Sequence, residues 1–179
     1  MNEISAAFGP IGGEGVVVLA TGEATRAELR PVRSRIPSLY ADPLAWLVLD
    51  AVEDALSTCS DELYEARDEV AVILISPFCT LQTMEAVARS APSGRVSPLR
   101  FAGAAPGGGG SLTCVARGFR GPSLTLATRP GDGLPVARTL ARSWLRSGQA
   151  AYAVVSAHEA MAEGGHRVRT AVLQAEPGR

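Results

Sequence analysis

Apolar positions along the chain fall into alternating strand-like and helix-like blocks. Glu3 to Phe8 and Gly15 to Ala20 read as short strands, whereas Thr21 to Tyr40 is polar, punctuated by Pro31 and Pro37, and predicts an irregular connection. Asp42-Pro43 opens a helix, with Asp as N-cap and Pro at the first helical position. Leu44, Leu47, Val48, Ala51, Val52, Ala55 and Leu56 carry its apolar face onward at helical spacing. The run Glu69 to Ser76, EVAVILIS, is apolar without alternation, the mark of a strand covered on both faces. Thr80 to Ser90 returns to helical spacing through Leu81, Met84, Val87 and Ala88.

Ala91 to Gly110 is rich in Gly, Pro and Ser. Its GAAPGGGGS run lacks both GxxxxGK[ST] and a strand-to-helix GxGxxG, so close backbone packing or a turn fits better than a phosphate loop. Ser111 to Phe119 reads as a short helix, and Leu124 to Thr128 as a β-rich run ending in the turn-forming cluster Arg129-Pro130-Gly131-Asp132. A helix follows from Leu134 to Arg146, with Val136, Ala137, Leu140, Ala141, Trp144 and Leu145 directed inward. Ala151 to Ser156 and Val168 to Leu173 close the chain as strands. Strands and helices in alternation predict an α/β fold, a mixed sheet packed against helices, in one domain spanning residues 1–179 with no internal repeat.

Composition narrows the function classes. At 179 residues, 46% hydrophobic and 20% charged, the chain suits a single globular core. A net charge of -1 leaves no electrostatic footprint for nucleic acid, and no apolar run reaches the roughly 18 residues of a membrane span. The first ten residues lack the basic and apolar regions of a secretory signal, which makes the cytoplasm the expected location. Cys59, Cys79 and Cys114 are odd in number and widely spaced, and His158 and His166 have no ligand-spaced partner. Reduced thiols and no metal are expected.

The segment from Val96 to Ala160 resembles the amino-terminal half of β-ketoacyl synthases, the condensing enzymes of fatty-acid and polyketide assembly, which have a thiolase-like fold. VSP at Val96 to Pro98, RGPSLTL at Arg120 to Leu126, the elbow, a long helix ending near SGQA and a strand closing on Glu159 carry the likeness in order. Upstream, ISAAFGPIG, the Asp42 helix and EVAVILIS are similar to the family's first strand, next helix and next strand. The resemblance implies a thiolase-like half-fold; no cofactor is expected. It places the family's acyl-accepting cysteine at Pro130, which has neither thiol nor hydroxyl. Two further histidines come, in the family, from a carboxyl-terminal half that would begin beyond this sequence, and His158 lies in the closing strand motif instead.

Candidate residues follow from the two readings together. Arg129 and Asp132 either form a plain turn or bind a polar or anionic group at the helix mouth. Cys79, after a buried strand, is expected near the same end of the sheet, inert unless a base accompanies it. Arg138, Arg142 and Arg146 recur every four residues, as a solvated face or as a basic stripe for an acidic acyl carrier protein. The family's pairing of the strand before the elbow makes Leu124, Leu126 and Thr128 the expected interface of a homodimer, or of a heterodimer with a synthase-like subunit. The resulting expectation is a non-catalytic, truncated ketosynthase-like partner. The alternatives are an enzyme of altered thioester chemistry using Cys79, His158 or Asp132, and a small acyl or coenzyme A binding module.

Overall fold

The computed structural model describes residues 15–30 and 41–176. The strand expected at Glu3 to Phe8 lies outside them, as does the later part of the Thr21 to Tyr40 connection. Among the described residues, five strands form one mixed sheet: β1 (Val16–Arg26), β2 (Val70–Ile75), β3 (Ser123–Leu126), β4 (Tyr152–Ala160) and β5 (His166–Ala175). The order is β1-β5-β4-β2-β3. β1 with β5 and β5 with β4 are antiparallel, and β4 with β2 and β2 with β3 are parallel.

All six residues of β2 are buried, because the strand is covered from both sides. Val70, Val72 and Leu74 face one core with α1 (Pro43–Leu56) and Leu63 of α2 (Asp61–Glu65). Ala71, Ile73 and Ile75 face a second core with α6 (Pro130–Arg146). On the α1 side, α5 (Gly108–Arg117) adds a further layer, Leu112 packing on Ala45 and Leu49. The remaining helices, α3 (Leu81–Ser90) and α4 (Pro98–Gly103), bury no residue.

Three expectations are corrected. β1 does not stop at Ala20; it runs to Arg26, pairing with β5 through the polar segment TGEATR. Polarity hid this, since β1 is at the edge of the sheet among the described residues and has a solvated side. Gly22 explains the local choice: a Cβ there would lie 2.3 Å from the Ala55 nitrogen and 2.5 Å from the Ala51 carbonyl oxygen, so α1 crosses β1 backbone against backbone. α5 starts at Gly108 inside the glycine run, where a Cβ on Gly109 would meet Leu74 Cδ2 at 2.6 Å. Close packing, not a phosphate cradle, uses these glycines.

The third correction concerns α6, which begins at Pro130 with Arg129 as N-cap, so Pro130, Gly131 and Asp132 form its first turn. Pro at the first position loses no intrahelical bond, and Asp132 sits favourably at the positive end of the helix dipole. Pro135 would suit a start at Leu134, yet it lies inside the helix. The buried row is Gly133, Ala137, Ala141 and Leu145, every fourth residue, which leaves Val136 47% exposed instead of inward. Small residues in that row lie on the alanine-rich sheet face of Ala71, Ala153, Ala157 and Ala171, and the helix can approach closely.

Candidate functional site

The parallel pairing of β3, β2 and β4 ends together at Leu126, Ile75 and Ala157, β4 running on to Ala160, and two groups of residues share that edge. The first is the elbow. Beyond Leu126 the chain turns so tightly that the Thr128 N–H donates to the Leu126 carbonyl (2.9 Å), and α6 starts two residues later. The Arg129 carbonyl accepts from Asp132 and Gly133 N–H groups at 3.1 and 2.9 Å. Gly133 is required here, since a Cβ would meet Ile75 Cγ2 at 2.4 Å. Pro130, half-buried, therefore occupies the opening turn of the helix, with Arg129 and Asp132 exposed on either side.

The second group is a buried hydrogen-bonded chain on the α1 face. Ser76 follows β2, and His158 stands one rung beyond the Ile75–Ala157 pair of the β2–β4 ladder. Ser76 Oγ lies 2.9 Å from His158 Nδ1, and His158 Nε2 lies 3.1 Å from His166 Nδ1. Ser76 Oγ also accepts from Phe78 N–H (3.0 Å) and Cys79 N–H (3.1 Å). A hydroxyl has two acceptor sites and one proton. With both acceptor sites occupied, the proton must go to His158 Nδ1, which fixes His158 as the Nε2–H tautomer and makes it the donor to His166 Nδ1.

Packing holds the chain in place. Ser76 and His158 are both 0% exposed, and the Phe78 ring meets both imidazoles edge-on at 5.2 and 5.4 Å. The imidazoles themselves stack at 5.3 Å. Burial, and then the neighbouring His166, push the His158 pKa down to about 4 against a smaller opposing pull from Glu159; burial also lowers that of His166. Both rings are neutral at pH 7.

Cys79 lies in the same turn at φ 47°, a left-handed conformation that costs a side-chain-bearing residue energy. Its buried thiol donates to the Ser76 carbonyl (3.0 Å), and burial followed by the charge of Asp42 raises its pKa. These surroundings favour the protonated thiol rather than a nucleophilic thiolate. Cys79, His158 and the elbow do share the sheet edge, and Ser76 connects the first two.

The other candidates sit elsewhere. Leu124 and Leu126 are half-buried on the edge strand β3, and Thr128 lies just past its end. Arg138 and Arg146 are exposed on α6 while Arg142 is half-buried. Among the described residues no cluster of three or more His, Cys, Asp or Glu side chains is placed to hold a metal, and no helix is long and apolar enough to cross a membrane.

Sequence reading gave Ser76 no role and weighed His166 only as a metal ligand. Ending one strand at Ser156 and starting the next at Val168 concealed a hairpin whose antiparallel register brings the imidazoles of residues 158 and 166 side by side. The signal was present in AHEAMAEGGHRV, where the Gly164-Gly165 turn, both residues at positive φ, separates the two histidines.

The sequence matches no protein-family model and no curated protein. Solved structures do match the fold. The ishigamide ketosynthase/chain length factor superposes with a TM-score of 0.67 at 16% identity, over 89% of this chain and 62% of that one. A β-ketoacyl synthase from Burkholderia phymatum gives 0.66 at 11% identity, over 92% and 60%. A type II polyketide synthase acyl-carrier protein in complex with its ketosynthase bound to the hexaketide gives 0.62 at 13% identity, over 90% and 63%. This chain thus spans about three-fifths of the length of the chains it matches. Its fold is thiolase-like, of the ketosynthase type.

Proposed function

We propose that this chain is a non-catalytic ketosynthase-like subunit, a scaffold or partner for a synthase-like protein in polyketide or fatty-acid-type biosynthesis in the cytoplasm. The observation that carries the reading is Pro130 in the first turn of α6, where the family resemblance puts the acyl-accepting cysteine. A pyrrolidine ring there can shape a helix start but cannot form a thioester. The fold neighbours, which include a ketosynthase/chain length factor and a ketosynthase with its acyl-carrier protein, support a synthase-like subunit or a carrier protein as the company it keeps. β3, an edge strand with partly exposed Leu124 and Leu126, is the proposed contact, within a homodimer or heterodimer. Arg138, Arg142 and Arg146 are the proposed contact for an acidic carrier protein, and Arg129 and Asp132 flank the mouth of α6 where a polar ligand group would enter.

Incubation with acyl-pantetheine thioesters followed by intact-mass measurement tests the reading, alongside co-expression with a ketosynthase. The expected result is unchanged mass and a co-purifying complex. A second reading rests on the cluster of Cys79, Ser76 and His158: acyl transfer at Cys79 would appear as a mass increase abolished by Cys79→Ala, and would replace the first.

A further inference from the structure

The Ser76–His158–His166 chain does something the elbow does not: it ties three separate elements together through a single direction of proton donation. Ser76 begins the turn into α3, His158 is on β4 and His166 opens β5. We propose that this chain is an acid-sensitive latch, in which the first proton taken up at His166 breaks the chain and releases the Ser76–Thr80 turn that carries α3.

The argument is one of counting. His166 Nδ1 is the acceptor of the His158 Nε2–H, and His166 is the partly exposed end of the chain, so a proton from solvent arrives there first. Protonated imidazole donates from both nitrogens and accepts at neither. Two N–H groups would then face each other across 3.1 Å. His158 cannot escape by exchanging tautomers, because its Nδ1 must accept from Ser76, whose own acceptor sites are filled by the Phe78 and Cys79 N–H groups. Conflict at the surface end is therefore passed to the buried end, where a His158 Nδ1–H would claim one Ser76 acceptor site and one of the two backbone amides holding the turn would lose its partner.

The charged surroundings do not relieve it. Glu159 is neighbour to His158 in sequence, but its carboxylate already pairs with Arg167 and Arg169. Arg26 of β1, in register with His166, is paired with Asp50 of α1, and Arg169 also binds Glu23 of β1. On the turn side the titratable groups are Cys79 and Asp42, whose carboxylate accepts from the Leu44 and Thr83 N–H groups. For the sign, a base whose pKa is lower folded than unfolded supplies stability that is complete above the unfolded value. That stability is lost as pH falls from 6.5 through about 4 for His158. Acid loosens the latch and alkali sets it.

Two measurements on the full chain decide the matter. Histidine nitrogen NMR at pH 7.5 should show His158 protonated at Nε2 and bare at Nδ1. Hydrogen exchange at the Phe78 and Cys79 amides should lose about tenfold or more of its protection between pH 7.5 and pH 5, one pH unit of linked titration being about tenfold. The variant His166→Gln keeps a carbonyl to accept from His158 but takes up no proton, and its protection at these amides should fall markedly less over the same range than in the unaltered protein, what remains being the part linked to His158. An Nδ1–H tautomer at His158, steady protection in the unaltered protein, or an equal loss in His166→Gln would overturn the proposal. Should His166→Gln not fold, the tautomer and the unaltered protein's exchange decide between the same two outcomes.

Discussion

Helices α1 and α3 share one carboxylate and have opposite fates. Asp42 is the N-cap of α1, accepting from Leu44 N–H at 2.9 Å, and its second oxygen accepts from Thr83 N–H in the first turn of α3, also at 2.9 Å. Thr80, the N-cap of α3, spends its hydroxyl on the Ala104 carbonyl, so Asp42 caps both helices. From there they diverge. Ten of the fourteen residues of α1 are buried between the sheet and α5, whereas α3 buries none and leaves Met84 47% exposed. Apolar residues at helical spacing thus specify a helix without saying what it will cover.

The largest test of that contrast is in α1. Leu47 is fully buried in the core formed with β2 and β5, and Leu47→Ala should cost about 2–5 kcal/mol in urea unfolding, by lost transfer energy and the cavity left behind. A smaller result would mean α1 is not the centre of the fold. Gly22→Ala probes the same helix from below. Its Cβ would overlap the α1 backbone at Ala51 and Ala55, which no rotamer change relieves, and about 1–3 kcal/mol of destabilisation is expected. Circular dichroism should show the helix content kept while the unfolding midpoint falls.

Asp42→Asn separates the two caps. The amide can offer its oxygen to Leu44 but would present N–H₂ to Thr83 N–H, so α3 loses its cap while α1 keeps its own. About 1 kcal/mol is expected. Hydrogen exchange should quicken at Thr83 before Leu44; the reverse order would refute the shared-cap description.

Much of this was legible in the residues. The Asp42-Pro43 start, the doubly covered β2 and the α/β layering follow from local chemistry, because capping and burial leave short-range marks. The polar half of β1 and the Ser76–His158–His166 chain were not legible, since each depends on what a distant strand places opposite, and the start of α6 at Pro130 was hidden locally by Pro135, which suits a start at Leu134. At the site, sequence supplied Cys79 and His158 and expected Cys79 at the elbow's end of the sheet, while His158 was assigned only to the closing strand motif. Ser76, which joins them, looked like the last residue of an apolar run.

The smallest expected effect completes the comparison. Leu81, Met84, Val87 and Ala88 have the same helical spacing that made α1 readable, and if spacing alone determined burial, truncating Met84 would cost what truncating a core side chain does. Met84 is instead exposed on a helix with no buried residue, so Met84→Ala removes few packed atoms and replaces Met with the best helix former. The unfolding midpoint of the isolated chain should therefore move by less than the equivalent of about 0.5 kcal/mol. A loss approaching that of Leu47→Ala would mean that α3 lies against a covered surface in solution. Its apolar stripe would then be core, and the contrast with α1 would disappear.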